Sequence, residues 1–302
     1  VPDGLFAVLK KVDLADLVRR HTSGEILLIS GIHVEKEPAI YDAEQLLLAE
    51  VIARSFAWKC GYAIFFPYEG VCPKRVSSAI ERQGFVKAPE FQEDAPLFLV
   101  DMHAPLLLMQ NLETTLKEPF SSNPRVLKAI YKAHHDLQRT MTGLYPGQLV
   151  LSLSASLIYH RLVDKITTLN GVPREPVEPR ILGEYMCVPF GKILRGKVIP
   201  NTVTKTLHTD KVFDPELKED AIEAFPYYSP LSSQIKGIKS FDRPVILVDD
   251  LLHRGGRFEA LEPMFKEAGV EIKKVLLGLI SGYGRDTMAT KGVEEDSVYF
   301  VP

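Results

Sequence analysis

The sequence predicts an α/β protein in which a small α/β domain and a helical bridge precede a larger domain built on a parallel sheet. Apolar runs of strand length alternate with segments of helical periodicity, which is typical of β-α-β units. In the C-terminal half these runs are continuous, as expected for strands covered on both faces of a parallel sheet. Clusters of Gly, Pro and polar residues separate the segments and indicate the connections.

Length and composition restrict the class of protein. The chain has 302 residues, of which 46% are hydrophobic and 25% charged, a balance typical of a globular protein with room for two domains. The formal net charge of -3 excludes a globally basic surface, so we expect no general binding to nucleic acid. The longest apolar runs are far shorter than the roughly 20 residues of a membrane-spanning helix, so we expect no membrane association.

The cysteines and the chain ends indicate the compartment. Cys60, Cys72 and Cys187 are widely spaced and odd in number, which predicts free thiols in a reducing compartment. The N-terminal segment lacks the charged-then-apolar order of a secretory signal, so we expect a cytoplasmic protein. Because the chain starts without Met and stops at an apparent strand, we expect a piece of a longer polypeptide. We also expect a homo-oligomer.

Residues 1–105 are predicted to form the small α/β domain. Helical spacing marks Leu5–Arg20, and Asp42–Trp58 is an amphipathic helix with Asp42 at the N-cap position. The other predicted elements are strands Glu25–Ile32, Tyr62–Phe66 and Pro96–Met102 and helix Pro73–Gln83.

This element order resembles the back half of an N-acetyltransferase fold. Members of that superfamily hold the pyrophosphate of coenzyme A on a glycine-rich turn between the first strand and the long helix. Here the turn is Glu35–Tyr41, EKEPAIY, which has no glycine and carries two carboxylates. The two carboxylates would repel a pyrophosphate group, so the resemblance implies half of an acetyltransferase fold that no longer binds coenzyme A. A generic α/β segment is the alternative.

A mostly helical bridge is predicted over residues 106–147. Leu106–Leu116 has apolar spacing, and Arg125–Leu144 is a long helix with His134 and His135 near its middle. Adjacent helical positions point about 100° apart, so we expect these histidines to be surface or boundary residues rather than ligands of one metal ion.

The second domain is predicted to span residues 148–302 and to contain the parallel sheet. Its predicted elements are a strand and turn at 148–156, a strand at Met186–Val188, a strand at Val245–Val248, a turn at Asp249–Arg257, a helix at Phe258–Ala268 and a strand from Lys274.

The motif VILVDDLLHRGGR, residues 245–257, has the features of an anion site. Asp249 and Asp250 end an apolar strand at the edge where open α/β sheets bind ligands. Gly255 and Gly256 then precede a helix, where N–H groups can approach a phosphate and the dipole favours negative charge. The acids can accept hydrogen bonds from a vicinal diol or hold Mg²⁺, directly or through water, so the motif predicts a pentose 5-phosphate site. A βα turn with solvated acids is the alternative.

This motif resembles the signature of the type I phosphoribosyltransferases, which consists of an apolar strand, paired acids, three variable residues and a Thr-Gly-x-Thr turn. The resemblance covers roughly residues 148–302 and implies that Asp249 and Asp250 hold Mg²⁺ and the ribose hydroxyls of phosphoribosyl pyrophosphate. It assigns the 5-phosphate to the turn residues His253, Arg254, Gly255, Gly256 and Arg257. Arg254 and Arg257 stand where the family has small hydroxyl residues, and arginine binds phosphate in a bidentate manner.

A serine-rich turn fits the same resemblance. In the family, the first core strand ends in a turn that holds the pyrophosphate. Ser152, Ser154 and Ser156 occupy that position here, where hydroxyl and N–H groups can meet an anion. A simple helix cap is the alternative.

The family also closes a mobile basic loop over the leaving pyrophosphate. Gly191–Lys211 is long, polar and rich in cations, which favours a lid over an anion. The resemblance therefore assigns Lys192, Arg195 and Lys205 to the pyrophosphate. A solvated surface loop is the alternative.

The resemblance implies a glycosyltransferase of nucleotide metabolism in which a base or amine displaces pyrophosphate from the anomeric carbon. Its implied catalytic residues are Asp249, Asp250, Lys192 and Arg195. Tyr283, in the segment SGYGR, offers a stacking face to the unidentified acceptor. The first alternative is a non-catalytic regulatory protein that binds a nucleotide or phosphosugar. The second is an acyltransferase that works from the N-terminal half.

Overall fold

The computed structural model describes residues 25–34, 42–67, 72–88, 96–110, 116–216 and 220–302. The predicted helix Leu5–Arg20 and the turn Glu35–Tyr41 lie outside these residues. The chain divides into two compact units, the first ending at Ala155 but including the last two residues, and the second spanning Ser156–Phe300. Sheets and helices occur in both units, which confirms the predicted α/β class.

The first unit alternates strands and helices in the predicted order. Its elements are β1 Glu25–Ile29, α1 Ala43–Ser55 with a short 3-10 turn at Phe56–Trp58, β2 Cys60–Phe65, α2 Lys74–Arg82, β3 Val86–Lys87, β4 Phe98–Gln110, α3 Pro124–Leu144 and β5 Gln148–Ser154. The strand order is β1-β2-β4-β3, and β5 pairs with β4. Strands β1 and β2 are parallel, whereas β4 is antiparallel to both β2 and β3.

The C-terminal half of β4 corrects the predicted bridge. Helix was predicted from Leu106, but the chain continues as a strand to Gln110 and pairs in parallel with β5. A short run of apolar residues fits a buried strand as well as a helix, so the pattern alone could not decide. Pro105 lies where the register between the two strands shifts, a place that tolerates a residue without an N–H. Strand β5, which we had assigned to the second domain, therefore lies in the sheet of the first unit.

A cluster of charged side chains connects three segments of the first unit. Asp42 is the N-cap residue of α1, as predicted, and has a left-handed backbone with φ of 62°. Its carboxylate accepts hydrogen bonds from Arg82 Nη2 at 2.8 and 3.0 Å and contacts His135 Nε2 at 2.5 Å. Arg82 is only 5% exposed, so Asp42 compensates a buried charge. His134 and His135 are both half-buried, at the boundary where we expected them.

The second unit is built on the predicted parallel sheet. Its elements are α4 Ala155–Asn170, β6 Met186–Pro189, β7 Thr209–Phe213, β8 Asp220–Ala224, α5 Leu231–Lys239, β9 Val245–Leu252, α6 Gly256–Glu267, β10 Ile272–Ser281, α7 Gly282–Lys291 and β11 Glu295–Val301. The main sheet has the order β11-β10-β9-β6, with β6, β9 and β10 parallel, and β7 and β8 form a separate antiparallel pair.

The core of the second unit explains why the sequences of its strands are continuous runs of apolar residues. Residues Val245–Val248 of β9 and Val275–Ser281 of β10 are all buried. Helices α5 and α6 contribute Leu231, Ile235, Ile238, Phe258, Leu261 and Phe265 to the same core. The helices thus cover apolar strand surface, as expected for a parallel sheet.

Among the described residues, no helix is both long enough and apolar enough to cross a membrane.

We predict that Asp42→Asn destabilises the first unit by about 2–3 kcal/mol, because a buried guanidinium loses its counter-charge. Asn tolerates the left-handed backbone as well as Asp, so the change tests the charge rather than the turn. Trp58 is the single tryptophan, so its fluorescence during urea unfolding reports on this unit. Arg54→Gln, at an arginine whose side chain is 63% exposed, is the control and should cost less than about 1 kcal/mol. Equal effects of the two changes would contradict the prediction.

Candidate functional site

The two acids lie within β9, not in the turn after it. The strand was expected to end at Val248, but it continues to Leu252 because β10 pairs with it as far as Ile280. Gly278 of β10 permits this close approach, since a Cβ there would stand 2.5 Å from the Asp250 carbonyl oxygen. Asp249 and Asp250 therefore have a rigid backbone at the C-terminal end of the sheet, where open α/β sheets bind ligands.

Asp249 is a buried carboxylate with a fixed counter-ion. It is only 4% exposed, and its Oδ1 accepts hydrogen bonds from Arg257 Nη1 and from the Asp250 N–H, both at 2.8 Å. Burial raises the pKa of Asp249 from 3.8 to about 7, and the Arg257 guanidinium opposes this rise. Sequence reasoning placed Arg257 on a phosphate and missed this ion pair, because the pair depends on how α6 sits on β9.

The carboxylate of Asp250 binds the backbone of the residues that follow β6. Its Oδ2 accepts a hydrogen bond from the Lys192 N–H at 2.5 Å, and its Oδ1 accepts one from the Ile193 N–H at 2.9 Å. A Cβ on Gly191 would clash with this carboxylate, so only glycine fits there. Burial raises the pKa of Asp250, and the two backbone hydrogen bonds oppose the rise.

The glycine pair performs two different tasks at the start of α6. Gly255 has φ of +86°, and a Cβ there would lie 2.7 Å from Thr287 Cγ2, so both backbone and packing require glycine. At Gly256 a Cβ would meet no heavy atom of the described residues within 4 Å, so the space above it is open. Because the N-cap residue Gly255 has no side chain, the first-turn N–H groups of α6 remain available to an anion.

Helix α7 holds the turn in place. Ser281 Oγ donates a hydrogen bond to the His253 carbonyl at 2.5 Å and accepts one from the Gly284 N–H at 3.1 Å. Thr287 Oγ1 lies 3.0 Å from the Tyr283 carbonyl of its own helix and 3.3 Å from the Arg254 carbonyl, so its one proton is shared between these acceptors. Sequence reasoning missed both supports, although a serine before a helix start is a recognisable N-cap signal.

The segment Gly191–Lys211, which we predicted to be a mobile lid, is anchored by buried side chains. Leu194, Ile199 and Leu207 are at most 1% exposed, so apolar contacts fix the segment at several points. Its later part runs beside β6, with hydrogen bonds from the Cys187 N–H to the Val203 carbonyl and from the Lys205 N–H to the Cys187 carbonyl. The sequence did not reveal these contacts, because polar residues predominate in the segment. Buried contacts at several points are incompatible with a lid that moves along its whole length.

Within this segment the three predicted cations are placed differently. Lys192 is exposed, while its backbone N–H contacts Asp250. Arg195 lies near the acids, since its charge opposes the rise in the pKa of Asp250; its Nη2 donates to the Thr209 carbonyl at 3.3 Å. Among the described residues its Nε is buried with no hydrogen-bond partner. Lys205 instead lies over the Phe241 ring at 5.6 Å, which gives it a packing role.

The serine-rich turn spans the boundary between the units. Ser152 and Ser154 lie on β5 in the first unit, whereas Ser156 is exposed in the first turn of α4 and begins the second unit. Their assignment to an anion stays a prediction.

A surface cavity adjoins the glycine turn. It has a volume of about 520 Å³, and its lining includes Arg254, Tyr283, Thr287 and Lys291. Tyr283 is 68% exposed and meets the His253 ring edge-on at 6.1 Å between centroids. Glu259 and Asp286 also belong to the lining, so the cavity combines two cations and two acids with an accessible aromatic face.

The two predicted magnesium ligands already accept hydrogen bonds within the protein, and their metal role stays a prediction. Both oxygens of Asp250 accept backbone hydrogen bonds, and Oδ1 of Asp249 is shared by a guanidinium and an N–H. Nowhere in the described part of the chain do three or more His, Cys, Asp or Glu side chains gather as metal ligands. A metal ion coordinated directly by these oxygens would share them with the donors that they already bind.

Comparison with known proteins identifies the family. The hypoxanthine/guanine phosphoribosyltransferase of Methanocaldococcus infernus is 33% identical over 150 residues, which cover 44% of this chain and 79% of that protein. The corresponding protein of Methanotorris igneus is 30% identical over 149 residues, which cover 46% of this chain and 78% of that protein. The chain belongs to the phosphoribosyltransferase family.

This membership rests on about half of the chain and confirms the type I resemblance there. The search with protein-family models finds no match. Among solved structures, the purine phosphoribosyltransferase of Pyrococcus horikoshii matches 49% of this chain and 83% of its own, with 13% identity and a TM-score of 0.30. The adenine phosphoribosyltransferase of Thermoanaerobacter pseudethanolicus matches 47% and 80%, with 12% identity and a TM-score of 0.28. The acetyltransferase resemblance of the N-terminal part stays a prediction.

We predict that Gly255→Ala destabilises the turn at the start of α6 by about 2 kcal/mol, because an L side chain is strained at this positive φ. Gly256→Ala should have little effect on stability, since its new methyl group enters open space. Hydrogen exchange of the amides around residues 253–258 measures the difference. Faster exchange in both variants, or in neither, would show that the two glycines are equivalent.

We also predict an unusual pH dependence that arises from Asp249. Its pKa is raised from 3.8 to about 7 in the folded protein, so the folded state binds a proton that the unfolded state has already lost between these values. The free energy of unfolding therefore falls as pH rises through this window. Asp249→Asn should remove this contribution, as measured by urea unfolding followed by circular dichroism at pH 4, 5.5 and 7. Parallel pH profiles of the parent and the variant would exclude a raised pKa.

Proposed function

We propose that the second unit binds phosphoribosyl pyrophosphate or a related phosphosugar and transfers its phosphoribose to a base or amine. The observation that carries this proposal is the open space above Gly256, at the uncapped start of α6 and beside two acids at the C-terminal end of a parallel sheet. An anion in this space meets converging N–H groups and the positive end of the helix dipole. The exposed side chain of Arg254, next in the same turn, adds a cation.

The reaction would be a displacement at the anomeric carbon. The bond from that carbon to the pyrophosphate oxygen breaks, pyrophosphate keeps the electron pair, and an acceptor nitrogen forms the new bond and loses a proton. Negative charge grows on the leaving group in the transition state, so fixed donors there accelerate the step. We assign this role to Arg195, whose charge acts on Asp250 at the end of β9.

The acceptor would enter the cavity beside the turn. Tyr283 offers an exposed ring for stacking, and the Arg254 side chain belongs to the same lining. The matched relatives are named for hypoxanthine and guanine, so a purine base is the first acceptor to test. A homo-oligomer in the cytoplasm remains part of this proposal.

A regulatory protein without catalytic activity is the second candidate. The Arg257–Asp249 pair favours it, because Arg257 occupies an acid that the resemblance assigns to the ribose hydroxyls. Such a protein would bind the phosphosugar and release no pyrophosphate. Incubation with phosphoribosyl pyrophosphate and single purine bases, with pyrophosphate measured, separates the two candidates.

We predict that Gly256→Val lowers the affinity for ribose 5-phosphate by about tenfold or more, because its side chain fills the space in which the phosphate meets the N–H groups. The fold should persist, since the added atoms enter open space. Isothermal titration calorimetry measures the affinity, and the melting temperature controls for folding. Gly143→Val, at a glycine of α3 in the first unit where a Cβ also meets open space, is the matched control and should leave binding unchanged. Unaltered affinity in Gly256→Val would place the phosphate elsewhere.

A further inference from the structure

Arg195 is held by an aromatic ring and a carbonyl group. The carbon at the centre of its guanidinium group lies over the Phe225 ring, 5.4 Å from the centroid, and its Nη2 donates a hydrogen bond to the Thr209 carbonyl at 3.3 Å. Among the described residues Arg195 has no ion-pair partner. A ring at this distance attracts the cation, and because it covers one face of the guanidinium, it leaves N–H groups at the edge for an acceptor.

Phe225 directly follows β8 and belongs to a group of three rings. His208 stacks on Tyr228 with 3.8 Å between the ring centroids, and Tyr228 meets the Phe225 ring edge-on at 6.1 Å. The backbone connects the same residues, because the Phe225 N–H donates to the His208 carbonyl and the Tyr228 N–H to the Phe225 carbonyl, both at 3.0 Å. His208, Phe225 and Tyr228 thus form an aromatic clamp beside Arg195.

Helix α5 anchors the aromatic clamp through Gln234. The Oε1 of Gln234 accepts a hydrogen bond from the His208 N–H at 2.8 Å, and its Nε2 donates one to the Ser229 carbonyl at 2.7 Å. The next residue of the helix, Ile235, is 1% exposed and belongs to the core of the second unit. The clamp is therefore tied to the core, and Phe225 has a defined position although 38% of it is exposed.

The charge of Arg195 acts on groups of two neighbouring regions. It opposes the rise in the pKa of Asp250 at the end of β9. It also lowers the pKa of His208, in addition to the larger effect of burial. Arg195 is therefore close both to the end of the sheet where ligands bind and to the aromatic clamp.

We propose that Phe225 is a positioning residue, which holds the guanidinium of Arg195 toward a diphosphate group while the rest of the aromatic clamp holds Phe225. The inference rests on the proposed function, in which Arg195 stabilises the leaving pyrophosphate. An arginine that moves freely loses side-chain entropy when it meets an anion, whereas a clamped arginine has already lost most of it. The clamp thereby increases the affinity for the diphosphate without contacting it.

Inorganic pyrophosphate in excess Mg²⁺ is the probe, and calorimetric titration of the intact chain measures its affinity. Arg195→Gln should weaken binding by about tenfold or more, because a charged hydrogen bond to the anion is lost. Phe225→Leu keeps Arg195 but removes the aromatic face, and it should weaken binding by about fivefold or more. Phe225→Tyr keeps the aromatic face and should bind like the parent.

A second phenylalanine provides the matched control. Phe213 of β7 is 51% exposed, and its ring lies under a different cation, Lys211, at 5.0 Å. Phe213→Leu should therefore bind pyrophosphate like the parent. Melting temperatures identify any variant that fails to fold, and Phe225→Met then takes the place of Phe225→Leu.

The combination of two changes distinguishes a positioning role from a structural one. A positioning residue acts only through the group that it positions. Arg195→Gln with Phe225→Leu should therefore bind pyrophosphate as Arg195→Gln alone does.

The imidazole of His208 gives a spectroscopic readout of the same contact. A pyrophosphate bound at Arg195 compensates the charge that helps to lower the pKa of His208, so this pKa should rise when the ligand is added. In Arg195→Gln the pKa should be higher from the start, and pyrophosphate should change it much less. Titration of His208 by nuclear magnetic resonance, with and without pyrophosphate, measures these shifts.

The outcomes separate this inference from the proposed function. Binding that Arg195→Gln weakens and Phe225→Leu does not would overturn the inference and leave Arg195 as a ligand of the diphosphate. An equal loss from Phe225→Leu with and without Arg195, or a His208 pKa that bound pyrophosphate leaves unchanged, would also overturn it. A parent chain that binds neither pyrophosphate nor ribose 5-phosphate would overturn the proposed function itself. Loss in Phe225→Leu, recovery in Phe225→Tyr and no further loss in the double variant support the inference.

Discussion

The burial of Asp249 at the end of β9 is the constraint on which the site depends. A carboxylate that is 4% exposed must find donors, and it finds them in Arg257 and in the next backbone N–H. The ion pair connects the strand to the first turn of α6, so the acid and the glycine turn form one rigid unit. Removing either partner would leave a charge in a place that water reaches poorly.

Asp250 extends the same constraint to the neighbouring strand. Strands β6 and β9 are parallel neighbours, and the Asp250 carboxylate binds the first N–H groups after β6. The end of β9 thereby determines the path of the chain that follows β6. Both acids thus hold other parts of the protein in place.

The first unit shows the same principle with other residues. Arg82 is buried between helices and is compensated by Asp42, which in turn contacts His135. Sequence reasoning identified Asp42 as an N-cap and the histidines as boundary residues, but it could not connect them. Contacts between residues 42, 82 and 135 arise only when three separate segments pack together. Periodicity within each segment carries no information on such a contact.

The sequence by itself determined the α/β class, the parallel sheet in the second half, and the strand–turn–helix motif with its paired acids and glycines. These features follow from local periodicity and from the special backbone of glycine, which depend on neighbours along the chain. Tertiary structure decided that Leu106–Gln110 is a strand, because β5 lies beside it. It also decided that Asp249 holds Arg257 and that Asp250 holds a turn, because a carboxylate binds whichever donors the packed fold brings within about 3 Å.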